Sequence, residues 1–312
     1  MTNLLFSSCK VRKQLTERFK FMSQKAIQCS KFDYTVEATP SFMQLGDGRY
    51  VKDGFTINRR TDTMEVLGKV TDRYGLVQNT ELISTAEDAF KAAGMNDYKR
   101  KVIVTGVGEK MYAVYDFQTR TKKMAKVGDE LGLRLTLKNS FGGELRASFL
   151  MGILRLICMN GAVTLDREMG VAKKHGSQIR VDFIVDTLKT VIANWEQSTN
   201  IFDRLAEFPV TQEQGHNILN RLENTSVLSG KLREGIGLIW SNPTHHEDTA
   251  RNLYNLYNAT TQFLTHNVES ERFELSNRVS TNVLTAFERA TRDANRFATL
   301  VSPLPVAELA LN

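Results

Sequence analysis

The chain has 312 residues, 41% hydrophobic and 24% charged, with a formal net charge of +6. That is enough apolar mass for one large or two ordinary domains, and it excludes wholesale disorder. No run of about 18 apolar residues exists, so no membrane span is expected, and three cysteines without CxxC spacing (Cys9, Cys29, Cys158) exclude a disulfide framework or a cysteine-built zinc site. The basic start, with Lys10, Arg12 and Lys13, lacks the apolar stretch and cleavage site of a secretory signal. With the reduced cysteines, this gives a cytoplasmic expectation.

The net charge is unevenly spread. Residues 1–180 hold 30 Lys+Arg against 19 Asp+Glu, a balance of +11, whereas residues 181–312 hold 11 against 16, a balance of −5. A polarised chain of this kind predicts that the first half meets a polyanion.

In chain order, residues 1–36 read as a basic arm with a weak amphipathic pattern (Val11, Leu15, Phe19, Met22). ATPSFMQLGDGRYVKDG reads as turn-rich, punctuated by Gly46, Gly48 and Gly54. FTINRR and TMEVLGKV read as strands flanking Thr61 and Asp62, followed by YGLVQN. Thr80 is placed to cap a helix from Glu81 to Ala93 that Gly94 ends, with Leu82, Ile83, Ala86, Ala89, Phe90 and Ala93 at helical spacing. KRKVIVTGV and KMYAVYDFQ predict a hairpin through Gly108 and Glu109. LGLRLTLKNS alternates Leu133, Leu135 and Leu137 with Arg134, Thr136 and Lys138, and Gly142–Gly143 make the next turn before ELRASFLMGILRLICMNGAV. From Gln178 the period becomes helical: Val181 to Trp195, continuing toward Leu205; Leu253 to Leu264; and Val283 to Phe297, stopped by Pro303 and Pro305. Trp195 and Phe263 sit on apolar stripes and are expected to be buried. The reading is an α+β fold, a mostly antiparallel β-rich N-terminal half with one packed helix followed by an all-helical C-terminal half. The expected boundaries are 1–36 for the arm, 37–178 for the α+β domain, 179–301 for the helical domain and 302–312 for the tail.

No catalytic constellation stands out. His245 and His246 are adjacent and cannot chelate as an i, i+4 pair does, and His266 has no carboxylate at ligand spacing. GVGEKM joins two strands and lacks a third glycine, so it is a hairpin loop; GxxxxGK[ST] and GxSxG are absent. Cys158 sits among apolar residues and behaves as a small hydrophobe. No catalytic residue, metal ligand or cofactor is therefore nominated.

What remains is basic strand chemistry. Arg59, Arg60, Lys99, Arg100, Lys101, Lys122, Lys123, Lys126, Arg134 and Lys138 lie in or beside predicted strands. Lysine and arginine neutralise phosphates, and aromatic rings on a sheet stack on bases without sequence preference. Tyr115 shares a face with Met111, Ala113 and Phe117 and reads as core, which leaves Tyr112 as the stacking candidate. Lysines beside strands also serve as ordinary guards against edge pairing.

Three stretches, MEVLGKVTDRYGLVQNTE, RLICMNG and LYNLYNATTQFLTHN, occur in an order and spacing that resembles the phage/plasmid-like protein family (domain of unknown function 932) over roughly Leu45 to Asn267. The chain departs from the pattern in lacking a tryptophan in the third stretch and in having Gly152 before ILRLIC. The resemblance implies a mobile-element origin and a host cytoplasm, and it brings no active site; Arg155, Cys158 and Asn160 read as structural.

The reading favoured by the charge split is a nucleic-acid-binding protein, with single-stranded DNA as partner, acting in replication or recombination without catalysis and as a homo-oligomer. The competing reading is a structural or interaction protein that docks a protein partner through an exposed apolar patch on its C-terminal helices. A third, an enzyme with an unrecognised site, has neither motif nor metal spacing behind it.

Overall fold

Alternating apolar and polar residues build two antiparallel sheets in this computed structural model, which describes residues 32–124, 128–156, 160–162, 170–176, 179–269 and 272–305. The expected basic arm up to residue 31, Lys126 and Cys158 lie outside the described residues. A three-stranded sheet has the order β1 (Val36–Gln44), β2 (Tyr50–Arg60), β3 (Val66–Thr71). A six-stranded sheet runs β4 (Tyr98–Thr105), β5 (Lys110–Lys123), β6 (Glu130–Ser140), β7 (Ala147–Arg155), and β7 also pairs with the short β8 (Asn160–Ala162) and β9 (Gly170–Lys173).

The leucines of β6 place Leu133, Leu135 and Leu137 on one face, beside Met111, Ala113, Tyr115 and Phe117 of β5. Helix α1 (Asn79–Ala92) lays Leu82, Ile83, Ala86 and Phe90 on this face, and α2 (Phe183–Ser198) adds Ile184, Leu188, Val191 and Trp195. The Phe90 ring meets the rings of Tyr115 and Phe117 edge-on at 5.0 and 5.3 Å, a favoured aromatic geometry. Strands thus dominate the first half of the chain and helices the second, and Tyr115 is core as expected.

A second core joins α3 (Asn200–Ala206), α4 (Gln212–Asn224), α5 (Gly230–Ser241), α6 (Leu253–His266), α7 (Phe273–Thr291) and α8 (Ala294–Val301). It also takes in Met124, Leu131 and Ile153 from the large sheet, so sheet and helices share apolar packing. None of the helices among the described residues is long and apolar enough to cross a membrane.

Several elements differ from the sequence expectation, each for a local reason. ATPSFMQLGDGRYVKDG forms most of β1 and the start of β2, with the turn confined to residues 45–49; Gly54 adopts a left-handed φ of 77° inside β2. YGLVQN forms no strand. Its backbone bonds elsewhere: the N–H groups of Tyr74 and Gly75 donate to the carbonyls of Thr71 and His175, the Val77 carbonyl accepts from Asn139, and the Gln78 side chain holds both the N–H and the C=O of Val36 at 3.0 and 2.8 Å. Helix α1 accordingly starts at Asn79 rather than after Thr80. The long helix expected from Val181 toward Leu205 breaks at Thr199, and the one ending at Phe297 breaks before Asp293, whose carboxylate caps the N–H groups of Asn295 and Arg296. Helices α4 and α5 were not anticipated, although Thr211 and Gln214 form a capping box at the start of α4. Trp195 is buried as expected, whereas Phe263 is half-buried, its ring lying over Gly235.

The small sheet meets the β6–β7 turn closely at Gly68, where an added Cβ would lie 2.3 Å from the Cα of Gly142, and Asn58 donates to the Phe141 carbonyl at 2.7 Å. Gly68→Ala must push backbone against backbone, so it is expected to cost about 1–3 kcal/mol in chemical denaturation, the range for an overpacked site. A change smaller than a few tenths would contradict this close contact.

His175 stacks on Tyr74 at 4.6 Å and its Nδ1–H donates to the Gly75 carbonyl, leaving Nε2 buried without a hydrogen-bond partner. Burial holds this imidazole below its usual 6.5, against the opposing effect of the Gly75 bond. Below that value the unfolded chain binds a proton that the folded chain refuses, so stability is present above it and is lost as pH falls. His175→Phe should flatten the decline in melting temperature between about pH 7 and pH 5; an unchanged profile would exclude His175 as its source.

Candidate nucleic-acid interface

Directly opposed residues in an antiparallel ladder share a face. Tyr112, Val114 and Asp116 of β5 oppose Ile103, Lys101 and Lys99 of β4, and Lys138, Thr136 and Arg134 of β6. The large sheet thus brings Lys99, Lys101, Tyr112, Arg134 and Lys138 onto one face, opposite the face under α1 and α2. Arg100 points the other way, pairing with Glu87 at 2.6 Å and lying over the Phe32 ring.

Most of these cations already have partners. Arg134 holds Asp116 with two hydrogen bonds, at 2.5 and 2.8 Å. Lys138 meets Glu274 at 2.6 Å. Arg59 pairs with Glu37 at 2.5 Å. Arg60 grips Asp62, donates to the Val107 carbonyl and covers the Tyr34 ring; its bond holds the Asp62 carboxyl down at about 2. Lys122 donates to the Glu196 carbonyl and to Asn200, both at 2.8 Å, and so fastens β5 to the end of α2 and the start of α3. Lys99, Lys101 and Lys123 are exposed without an ion-pair partner among the described residues.

The stacking role expected of Tyr112 is corrected. Its side chain is only 2% exposed and its ring lies 4.9 Å from that of Phe273, at the start of α7. Burial pushes its hydroxyl well above the usual tyrosine value. A ring packed in this way presents no free face to a base.

Exposed aromatics lie elsewhere, in a segment that sequence reasoning treated as turns. Phe42 is 52% exposed, Tyr50 67% and Phe55 42%. All three belong to the β1–β2 hairpin, whose outer part, residues 50–52, pairs with β1 alone, because the pairing with β3 begins at Phe55. Phe42 opposes Lys52 and Tyr50 opposes Gln44, so two rings and a lysine share a face. Phe55 lies under the Lys69 ammonium at 4.8 Å, and Lys69 also pairs with Asp53 at 2.7 Å, which holds that carboxyl below its usual value. Arg49 stands at the turn, paired with Asp47. The signal for this surface was the pairing of alternating aromatic and basic residues across a glycine turn.

Charged groups also meet in the interior. Arg155, at the end of β7, is 2% exposed. Its guanidinium contacts Asp129, in the β5–β6 connection, at 2.7 Å, and Asp248, in the turn before α6, at 2.8 Å. Tyr254 donates to Asp129 at 2.8 Å and Asn258 to Asp248 at 3.2 Å. Burial works against the charge of Arg155, but the carboxylates of Asp129 and Asp248 outweigh it and raise its pKa.

The family model described as "Domain of unknown function (DUF932)" matches residues 66–299. The chain belongs to this family. No curated protein and no solved structure matches it. The DUF932 match opens at the first residue of β3, later than the expected Leu45, and extends past Asn267 into α8, so β1 and β2 precede it. All three sequence stretches that carry the family resemblance supply internal anchors. Tyr74 donates to the Ser140 carbonyl and Asn79 to the Tyr34 hydroxyl; Arg155 comes from the second stretch; Tyr254 and Asn258 come from the third.

The correction at Tyr112 has a measurable consequence. Tyr112→Ala should cost about 3–5 kcal/mol of folding stability, the range for a buried aromatic. A stable variant with its tyrosine removed would mean that the ring is free after all.

Proposed function

We propose that the protein binds single-stranded nucleic acid, single-stranded DNA first among the candidates, and performs no chemistry on it. The exposed rings of Phe42, Tyr50 and Phe55 would stack on bases, with Arg49, Lys52 and Lys69 beside them and Lys99, Lys101 and Lys123 on the large sheet meeting the backbone. The observation that carries this reading is the exposure of three aromatic rings interleaved with cations on a hairpin whose outer half is only two strands wide. Stacking of this kind tolerates any base sequence, because every base has a π-face. The proposal includes the setting implied by the family resemblance: replication or recombination of a mobile element in a host cytoplasm, strand annealing included, with several copies along the strand.

Met43 and Val66 of the same small sheet and Met64 in its β2–β3 connection are also strongly exposed, which favours a protein partner there as the second reading. The C-terminal helices, where such a patch was expected, contribute Val185 and Leu238 among the strongly exposed large hydrophobics.

The test is fluorescence anisotropy with labelled single- and double-stranded DNA and with RNA at two salt concentrations. Binding should favour single strands and weaken with salt, with a slope of about −0.7 per phosphate contacted. Phe42→Ala and Tyr50→Ala should each cost about 1–3 kcal/mol with little change in slope. Neutralising Lys99, Lys101 and Lys123 together should make the slope shallower. No binding at low salt, or full affinity in the doubly substituted hairpin, would overturn the proposal, and the exposed methionines would then favour the protein partner.

A further inference from the structure

Helices α4, α7 and α8 border an open surface groove of about 310 Å³ lined by three arginines: Arg221 from α4, Arg289 from the last turn of α7 and Arg296 from α8. Its apolar wall is Ala286, Ala290 and Leu300. The cluster lies in the acidic part of the chain, so it is a local reversal of sign.

The three guanidinium groups are poorly compensated. Arg289 is exposed and has no ion-pair partner among the described residues. Arg221 donates to the Ser302 carbonyl at 3.3 Å, and its Nε is buried with no hydrogen-bond partner. Arg296 stands 3.6 Å from Asp293, a loose pair, and that carboxylate is already engaged in capping α8. One carboxylate thus faces three guanidinium groups, leaving about two positive charges for a ligand. Planar guanidinium forks bind phosphate oxygens in bidentate fashion, and a phosphomonoester brings close to two negative charges at neutral pH. The volume falls at the low end for small-molecule pockets, and the alanine and leucine wall suits an organic group better than bare phosphate.

We infer that this groove is a binding site for an organic phosphomonoester of about mononucleotide size. The site is separate from the β1–β2 hairpin and does not depend on nucleic-acid binding there.

Calorimetry and thermal melting of the full chain with adenosine monophosphate, inorganic phosphate and adenosine test the inference. Adenosine monophosphate should bind saturably and raise the melting temperature, phosphate should bind more weakly, and adenosine should not bind. Arg289→Ala, at an exposed position that folding does not need, should weaken adenosine monophosphate by about tenfold or more, as expected for losing a charge-assisted hydrogen bond. Arg289→Lys, which keeps the charge and loses the fork, should also weaken it, and Phe42→Ala should not. Failure of both phosphate ligands to bind at millimolar concentration, or equal affinity in the Arg289→Ala and Arg296→Ala variants, overturns the site. Phosphate binding as tightly as the nucleotide overturns the organic part of the inference.

Discussion

The guanidinium of Arg155 is the charge that the architecture must accommodate. Removing an ion from water costs several kcal/mol unless partners replace its hydration. Here the partners come from the strand connection that carries Asp129 and from the turn before α6 that carries Asp248. One cation between two carboxylates leaves an excess negative charge, and the neutral donors Tyr254 and Asn258 spread it by hydrogen bonding to the carboxylate oxygens. The network closes only when sheet and helices are both in place, so a large electrostatic penalty falls on any state in which one is formed without the other. Shared apolar packing of Met124, Leu131 and Ile153 with the helices acts in the same direction but lacks this selectivity.

The same logic governs the surface. A balance of +11 in the first 180 residues is a property of composition, and the fold converts much of it into ion pairs. Arg59, Arg60, Arg100, Arg134 and Lys138 each face a carboxylate, and Lys122 closes the end of a helix. Surface pairs of this kind add little to stability individually, but they lower the field available to a polyanion. The polyanion reading therefore shifts away from the centre of the large sheet. It moves toward unpaired lysines at the β4 edge and toward a hairpin where aromatic exposure adds a contribution that counting charges misses.

How far this was legible depended on sequence distance. The leucine alternation in β6 and the helical spacing in α1 and α6 act within a few residues, and they emerged as read. The Asp116–Arg134 pair spans 18 residues, and it becomes evident once the β5–β6 register is known. Arg155 reaches Asp248 across 93 residues and Tyr254 reaches Asp129 across 125, so no local pattern announces either contact. Tyr112 failed as a surface residue because its strand alternation was read correctly while Phe273, from a distant helix, covers the face it points to. YGLVQN has the composition of a strand, but its Gly75 N–H and Val77 carbonyl bond to the His175 carbonyl and the Asn139 side chain instead of to a ladder. The hairpin was hidden by its glycines, which suit both turns and strand irregularities.

A double-mutant cycle on Arg155→Met and Asp248→Asn, read by chemical denaturation, tests most directly whether the sheet and the helices are tied through this buried charge. The account predicts that Arg155→Met loses about 3–5 kcal/mol, because it leaves two buried carboxylates without their cation, whereas Asp248→Asn, which leaves Arg155 paired with Asp129, loses less. It also predicts that the double variant loses less than the sum of the two by more than about 1 kcal/mol. Additivity within about 0.5 kcal/mol would contradict it, for Arg155 and Asp248 would then contribute independently.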